Sequence, residues 1–318
     1  MSILITGAGT IGRLTAQHLA ERGDRVVLMD IHPRLGTPVP GVDYQCCDVT
    51  DYAALCQLVE LHAVERIVHT AAMLSTSIRQ DPLRGYAVNT MGTANVLEAA
   101  RKYRLKRTVI ASSTTVTYST FASRDTRPIE EDFPMQVLSE RPGSIYAAAK
   151  IANEHLSLLY ADLYQVDCVV LRYGAVLSLG DGQATSVPGK LLSALIQSGQ
   201  TGIPAVLDDP ILLWGGKEEF VDARDCALAN VCALDAPAPR QRVYNVATGH
   251  WFSLEEFIAT CRTVLPHLAV DQRLEPQGGY AAFAHKRPAP SAIAAAREEL
   301  GFVARHDLAD TIRYYAQY

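Results

Sequence analysis

Short apolar runs alternate with amphipathic stretches along most of the chain. The apolar runs predict strands at 2–6, 25–29, 42–46, 66–69, 108–112, 168–172, 219–221 and 242–246. Between them, apolar positions at helical spacing predict helices at 14–22, 51–61, 81–103, 144–164 and 224–234. Strands that alternate with helices favour a parallel sheet covered on both faces. We therefore predict an α/β fold with a doubly wound parallel sheet of the Rossmann type.

The regular alternation breaks between residues 178 and 216, where glycines and prolines surround one predicted helix at 188–197. Ser253 and Glu256 form a capping box for a later helix, and two more helices are predicted near 291–300 and 307–315. Loop-rich insertions after sheet strands commonly form the substrate side. We expect residues 1–173 plus about 219–248 to form a nucleotide-binding domain. About 174–218 plus 249–318 should form a smaller, C-terminal substrate lobe.

A glycine-rich turn follows the first strand, and residues 7–12 read GAGTIG before a helical pattern begins. Gly7 would permit a tight turn, Gly9 would let a pyrophosphate approach the backbone, and Gly12 would let the helix pack on the sheet. Thr10 and Ile11 would present free N–H groups at the helix N-terminus, where an anion binds well. The strand, turn and helix together predict a dinucleotide site.

Asp30 ends the second strand, 18 residues after Gly12. A carboxylate near this spacing binds the ribose 2′-hydroxyl of NAD and would repel the 2′-phosphate of NADP. The sequence therefore favours NAD. Arg34 keeps NADP open as an alternative, since an arginine after this strand can hold the additional phosphate.

Tyr146 and Lys150 lie four residues apart in an alanine-rich stretch with the sequence SIYAAAK. In a helix, this spacing places both side chains on one face. A nearby ammonium group favours the phenolate, so we expect the pKa of Tyr146 to be lowered. The pair would then serve as a proton-transfer group near neutral pH.

Composition excludes several classes of function. The chain has 318 residues, 48% of them hydrophobic, and a net charge of −5, without the basic clusters typical of nucleic-acid binding. No run of eighteen apolar residues predicts a membrane span, and strand character directly after Met1 leaves no room for a signal peptide. Seven cysteines without a CxxC pair favour reduced thiols in the cytoplasm, and the histidines show no metal-ligand spacing.

Further motifs resemble those of the extended short-chain dehydrogenases/reductases, the NAD-dependent epimerase/dehydratase group. The resemblance covers nearly the whole length. It rests on TGAGTIG at 6–12, DV at 48–49, HTAA at 69–72, NTMGTANVLE at 89–98, SS at 112–113, YxxxK at 146–150, LRY at 171–173, FVDARD at 220–225, YNVA at 244–247 and REELGF at 297–302.

The resemblance implies roles for the matching residues. Tyr146 would be the catalytic acid and base, Lys150 would hold the nicotinamide ribose, and Ser113 would bind the reacting oxygen. Asp48 and Val49 would contact adenine. Tyr146 would also contact the cofactor, and the remaining expected cofactor contacts are Ala71, Ala72, Asn89, Ser112 and Tyr173. For Asn89, a structural role that ties backbone segments together is an equal alternative.

Several departures from the family pattern concern the substrate. Nucleotide-sugar enzymes of the family usually carry an asparagine where this chain has Ala175, and the loop 73–78 has no lysine or arginine for a phosphate. The pair Thr114–Thr115 replaces the acid pair of sugar dehydratases. Candidate substrate contacts are Ser75, Thr114, Thr115, Gly174, Ala175 and Arg287. With Lys286, Arg287 could bind an anion or form a solvated surface pair.

Three functional hypotheses follow. The first is an NAD-dependent dehydrogenase or reductase acting on a secondary alcohol of a sugar-like or hydroxy-acid substrate. The second is a nucleotide-sugar 4-epimerase, and the third is a non-catalytic NAD-binding regulatory protein. The family resemblance also implies a homodimer through the long helices at 81–103 and 144–164.

Overall fold

The computed structural model describes residues 1–32, 37–137, 143–180, 184 and 186–317. Within these residues the strands are β1 (Ser2–Thr6), β2 (Arg25–Asp30), β3 (Val42–Cys46), β4 (Arg66–His69), β5 (Arg107–Ser113), β6 (Cys168–Tyr173), β7 (Ala175–Leu177), β8 (Ala205–Leu207), β9 (Glu218–Asp222), β10 (Val243–Val246), β11 (Trp251–Phe252) and β12 (Val270–Gln272).

The helices of the same residues are α1 (Thr10–Glu21), α2 (Tyr52–Leu61), α3 (Ser75–Gln80), α4 (Pro82–Tyr86), α5 (Gly92–Tyr103), α6 (Ile145–Tyr164), α7 (Val187–Thr201), α8 (Ala223–Asp235), α9 (Leu254–Val264), α10 (Ala294–Leu300) and α11 (Leu308–Tyr315). A π-turn at Ala87–Met91 joins α4 to α5, and a 3-10 segment at Thr114–Ser123 follows β5.

A seven-stranded sheet forms the centre of the fold, with its strands in the order β10-β6-β5-β4-β1-β2-β3. Every neighbouring pair in this sheet is parallel. The chain moves from β1 towards one edge and then from β4 towards the other. The strand order therefore reverses between β1 and β4, which is where ligands bind in open α/β sheets. The predicted fold class, a doubly wound parallel sheet, is confirmed.

Two apolar cores cover the faces of this sheet. One core includes Ile5, Leu19 and Tyr244, together with residues of α1, α8 and α10. The other core contains Leu55 and Leu97 and is formed with α2, α5 and α6. Because both faces are buried, the central strands are nearly continuous apolar runs, as expected for a parallel sheet.

A third apolar core surrounds Trp214 and Phe257 and joins α7, α9 and α11. It adjoins a three-stranded sheet, in the order β11-β9-β7, and a two-stranded sheet of β8 and β12. The predicted strand at 219–221 exists as β9, but it pairs within the three-stranded sheet and not within the central one. The described residues contain no helix that is long and apolar enough to cross a membrane.

The predicted helix at 81–103 is present as α4 and α5, with a π-turn at Ala87–Met91 between them. Asp81 caps α4 by accepting a hydrogen bond from the backbone N–H of Arg84, as its sequence position indicates. The π-turn then interrupts the helix before α5 begins at Gly92. Such turns insert one extra residue and often occur at functional sites.

Candidate active site

The glycine turn has the geometry that the sequence predicts. Gly7 has φ +90°, and a Cβ there would lie 2.6 Å from the backbone nitrogen of Ala71. A Cβ on Gly12 would lie 1.9 Å from the carbonyl oxygen of Gly7. Both contacts are far too short, so both positions require glycine. A Cβ on Gly9 would meet open space, which leaves the backbone there free for a ligand to approach.

The N-terminus of α1 is free of side-chain capping. Gly9 is the N-cap residue and makes no side-chain hydrogen bond to the first turn, which begins with Thr10 and Ile11. Asp30, at the end of β2, accepts a hydrogen bond of 2.8 Å from the backbone N–H of Ala8. The carboxylate therefore lies beside the glycine turn. Arg34, the residue that kept NADP open, lies outside the described residues.

The backbone after β4 runs directly under the glycine turn. Ala71 and Ala72 are both half-buried, and their small side chains permit this close approach. The side chain of Asn89 holds Met73, the residue that follows Ala72. Its amide oxygen accepts from the backbone N–H of Met73 at 2.7 Å, and its amide nitrogen donates to the Met73 carbonyl at 3.0 Å.

Asn89 is 1% exposed, and both polar atoms of its amide are occupied by Met73. The structural alternative therefore describes this side chain, and its predicted contact with the cofactor stays a prediction. Asn89 belongs to the π-turn, where its carbonyl accepts a hydrogen bond of 2.8 Å from the amide of Asn153. The π-turn thus links α6 to the loop that carries Ala71 and Ala72.

Tyr146 occupies the first turn of α6, which is capped by Ser144. Its ring is half-buried, and its phenol interacts with the hydroxyl of Ser113 at the end of β5. The Ser113 oxygen also accepts a hydrogen bond from the backbone N–H of Thr115 at 3.3 Å. The structure therefore brings Ser113 and Tyr146 together, as the sequence predicts.

Lys150 lies one helical turn after Tyr146 and is 5% exposed. Its Nζ donates a hydrogen bond of 2.6 Å to the carbonyl of Ala111, and it is 5.6 Å from the centroid of the Tyr146 ring. Burial lowers the pKa of Lys150 to about 8, against the opposing attraction of Glu154.

The expected lowering of the tyrosine pKa is wrong. Burial raises the pKa of Tyr146 to about 12, and the hydrogen bond from Ser113 offsets only part of that increase. A buried phenolate is costly because water no longer solvates its charge. The ammonium group of Lys150 does not compensate, since it hydrogen-bonds the Ala111 carbonyl instead. Tyr146 is therefore a neutral phenol at pH 7 in this structure.

Two other predicted cofactor contacts, Ser112 and Tyr173, form hydrogen bonds within the protein. The hydroxyl of Ser112 donates to Glu154 at 2.5 Å, and Glu154 also pairs with Arg172 at 2.7 Å. The phenol of Tyr173 donates to the amide oxygen of Asn230 at 2.7 Å. Each side chain has its hydrogen bond in a buried site, and the predicted cofactor contacts of Ser112 and Tyr173 stay predictions.

The expected adenine contacts lie after β3. The carboxylate of Asp48 accepts from the side chain of Arg84 at 2.5 Å and from the hydroxyl of Thr50 at 2.8 Å. Val49 is buried and packs close to Gly92. Asp48 remains half-buried, so its predicted contact with the cofactor stays a prediction.

Arg287 is fully buried, so the interpretation as a solvated surface pair is wrong. Its guanidinium contacts Glu218 at 3.1 Å, Glu219 at 2.8 Å and the hydroxyl of Ser291 at 2.7 Å. Its Nε donates to the carbonyl of Ala289 at 2.9 Å. The guanidinium of Arg287, predicted as a possible anion-binding group, is therefore already paired with two carboxylates of the protein.

The remaining substrate candidates lie around Ser113. Thr114 is buried and hydrogen-bonds Tyr118, whose phenol also contacts Glu218. The hydroxyl of Thr115 is buried without a partner among the described residues. Gly174 is buried in the link from β6 to β7, the half-buried Ala175 begins β7, and the half-buried Ser75 begins α3.

Sequence reasoning missed Arg79 and the buried pair Glu218–Arg287. Arg79 lies on α3, a short helix that no clear apolar periodicity indicates. Glu218 and Glu219 precede an apolar run, so their sequence position predicts solvent exposure, and only the fold shows their burial. Two neighbouring acids beside a strand and an arginine about 68 residues later do not indicate a buried ion pair in the sequence.

The arrangement fits NAD. The open backbone at Gly9, the uncapped N–H groups of α1 and the carboxylate of Asp30 match a pyrophosphate and a ribose hydroxyl. When bound, this cofactor accepts or returns a hydride. Among the described residues, no group of three or more histidine, cysteine, aspartate or glutamate side chains is placed to hold a metal ion.

Comparisons with known proteins identify the family of this chain. The model of the NAD dependent epimerase/dehydratase family matches residues 3–247. The UDP-glucose 4-epimerase of Halalkalibacterium halodurans is 27% identical over 281 residues, which cover 84% of this chain and 81% of that protein.

Solved structures show the same fold along the whole chain. A GalE-like L-threonine dehydrogenase from Cupriavidus necator, in its holo form, is 26% identical with a TM-score of 0.81 and covers 99% of both chains. The UDP-glucose 4-epimerase of Thermus thermophilus, in complex with NAD, is 24% identical with a TM-score of 0.81. It covers 100% of this chain and 98% of its own, and it shows the fold alone.

The family match over most of the chain confirms the resemblance seen in the sequence motifs, and the relatives are NAD-dependent enzymes of both dehydrogenase and epimerase type. The chain is therefore an NAD-dependent enzyme that belongs to the NAD-dependent epimerase/dehydratase family of extended short-chain dehydrogenases/reductases.

Proposed function

We propose that this enzyme is a dehydrogenase or reductase that interconverts a secondary alcohol and its ketone on a small sugar-like or hydroxy-acid substrate. The observation that carries this proposal is the enclosure of Arg287 by Glu218 and Glu219. A nucleotide-sugar diphosphate needs cations close to its two phosphates. The buried cation Arg287 is already paired with two acids, and the side chain of Ala175 has no hydrogen-bonding group.

In the proposed reaction, Ser113 and Tyr146 bind the substrate oxygen. In the oxidative direction, the C–H and O–H bonds of the alcohol break and a C=O bond forms. The hydroxyl proton would go to Tyr146 in its phenolate form, and the hydride would go to bound NAD. In the reductive direction, the neutral phenol donates its proton to the oxygen as negative charge develops there. The raised pKa of Tyr146 keeps that proton in place at pH 7.

A 4-epimerase remains the second candidate because curated relatives such as the Halalkalibacterium enzyme carry that activity. An epimerase oxidises and reduces the same carbon, so it releases no reduced cofactor. A dehydrogenase releases one reduced cofactor for each substrate molecule. The two candidates therefore differ in stoichiometry.

We expect the purified enzyme to reduce NAD in the presence of a short hydroxy acid, a polyol or a free sugar, and not with UDP-sugars. The measurement is nicotinamide absorbance over a panel of these compounds, with chromatography of the UDP-sugars after incubation. If a UDP-sugar is isomerised and no reduced cofactor accumulates, the enzyme is an epimerase and the dehydrogenase proposal is wrong.

The proposal divides the chain as the sequence suggests. Residues 1–173 and about 219–248 would bind NAD, and about 174–218 plus 249–318 would hold the substrate. The separate core around Trp214 and Phe257 supports this division. All seven cysteines are free thiols in the structure, which supports a reducing compartment such as the cytoplasm.

We also propose a homodimer that forms through α5 and α6. Leu159 and Leu163 lie one turn apart on α6 and are 51% and 62% exposed. Tyr164 and Met91 are exposed as well, which extends an apolar surface along the two neighbouring helices. A second copy of the chain would cover it.

The double variant Leu159→Glu/Leu163→Glu is expected to convert a dimer into a monomer, because two charges would be desolvated at the interface. Sedimentation velocity measures the mass. Leu61→Glu, at an exposed leucine of α2, is the matched control and should remain dimeric. A wild-type protein that sediments as a monomer at micromolar concentration would contradict the proposal.

A further inference from the structure

A small cavity lies beside the N-terminus of α6. Its volume is about 90 Å³, and its lining includes Ser75, Thr76, Arg79, Ser144 and Phe283. Pockets for drug-sized ligands have volumes of roughly 300–1,000 Å³. The cavity therefore suits a group of a few heavy atoms and not a nucleoside.

The cavity lies beside the N-terminus of α6, the helix that carries Tyr146 and Lys150. Ser144 caps α6 two residues before Tyr146, and its oxygen accepts from the backbone N–H of Ala147 at 3.1 Å. Ser75 and Thr76 begin α3, directly after the loop that Asn89 holds through Met73. The cavity and Tyr146 are therefore connected through the first turn of α6.

Among the described residues that line the cavity, Arg79 is the one with a charged side chain. Arg79 is exposed and forms no ion pair with the acidic side chains that the structure describes. The hydroxyls of Ser75, Thr76 and Ser144 supply further donors. Val187, Ile211 and Phe283 line the cavity with apolar surface.

One guanidinium without an ion pair among the described residues, several hydroxyls and an apolar wall suit a single planar anion on a short carbon chain. Arginine binds a carboxylate through two parallel hydrogen bonds, and such charge-assisted bonds are stronger than neutral ones. A diphosphate carries more charge than one exposed arginine can neutralise. The lining therefore favours a monocarboxylate.

We propose that Arg79 binds the carboxylate of the substrate, so that the substrate class is a short hydroxy acid. This inference rests on the proposed dehydrogenase function. The carboxylate stays unchanged during the reaction and fixes the position of the secondary hydroxyl at Ser113 and Tyr146. Arg79 is a specificity-determining residue, and its loss should affect substrate affinity more than the chemical step.

The test uses 2-hydroxyisobutyrate, a tertiary alcohol that binds like a hydroxy acid but cannot lose a hydride, and its neutral amide. Calorimetric titration into the NAD-loaded enzyme measures both affinities. We expect the wild-type enzyme to bind the acid at least about 10-fold more tightly than the amide, and Arg79→Gln to lose that preference. Arg79→Lys should retain part of it.

Arg262→Gln is the matched control, since Arg262 is an exposed arginine on α9 without a recorded ion pair among the described residues. It should bind the acid like the wild type. Equal affinity of the wild type for acid and amide, or an unchanged preference in Arg79→Gln, overturns the carboxylate subsite.

The reactive panel separates this inference from the proposed function. With an oxidisable hydroxy acid, Arg79→Gln should raise KM by about 10- to 100-fold and change kcat little. Oxidation of neutral polyols should be unaffected by the substitution. Binding of 2-hydroxyisobutyrate that depends on Arg79, without any NAD reduction by hydroxy acids, supports the subsite and overturns the dehydrogenase.

Discussion

Tyr146→Phe is expected to lower turnover by about 10²–10⁴-fold while leaving the affinity for NAD unchanged. The phenol is placed by the first turn of α6 against the hydroxyl of Ser113, so it is the proton donor or acceptor for the substrate oxygen. The contacts expected for the pyrophosphate and the adenosine ribose of NAD lie at the glycine turn and Asp30, which the substitution does not alter. Steady-state kinetics and titration with NAD measure the two effects separately.

The matched control is Tyr86→Phe, at a tyrosine that is 45% exposed and lies on α4. This variant should retain wild-type turnover. The pH dependence adds an independent readout: because the pKa of Tyr146 is raised to about 12, oxidation should speed up from pH 7 to pH 9 as the phenolate fraction grows. Tyr146→Phe should lose that pH dependence. Wild-type turnover in Tyr146→Phe contradicts the catalytic role.

The nucleotide half of the site could be predicted from the sequence because its requirements are local. Gly7 and Gly12 are required by backbone contacts within a few residues of the turn and with the adjacent strand, and these follow from the motif itself. The capping residues Asp81, Ser144 and Ser253 likewise act on neighbouring N–H groups. Interactions between residues that are close in sequence can therefore be predicted from the sequence pattern.

The other half depends on contacts between distant segments. Arg287 meets Glu218 and Glu219 across 69 and 68 residues, so neither its burial nor its pairing leaves a periodic signal. The pKa of Tyr146 also depends on distant segments. The nearby Lys150 on the same helix predicts a lowered pKa, whereas burial by other segments raises it.

Lys150→Met is expected to stabilise the protein and to lower its activity at least about 10²-fold. The ammonium group is buried, and its pKa falls from 10.5 to about 8, so the folded state holds this charge at a free-energy cost of roughly 3 kcal/mol. Methionine fills a similar space without a charge. The lost hydrogen bond to the Ala111 carbonyl offsets about 1 kcal/mol, which leaves a net gain of roughly 1–2 kcal/mol at pH 7.

Activity should fall because the family pattern assigns Lys150 to the nicotinamide ribose, and a small misplacement of reacting groups can cost about 10²-fold. Stability and activity would then move in opposite directions, as expected when a strained charge is kept for function. Urea unfolding and steady-state kinetics on the same preparations measure both.

The pH dependence of stability tests whether the buried charge of Lys150 causes the expected stabilisation. A lowered lysine pKa means that the unfolded chain binds more protons between pH 8 and 10.5, so the wild-type protein gains stability from this group as the pH rises through that window. The advantage of Lys150→Met should therefore shrink from pH 7 to pH 10. Lys190→Met, at an exposed lysine of α7, should change the free energy of unfolding little at either pH. An advantage of Lys150→Met that is the same at both pH values would show that packing, and not the buried charge, causes it.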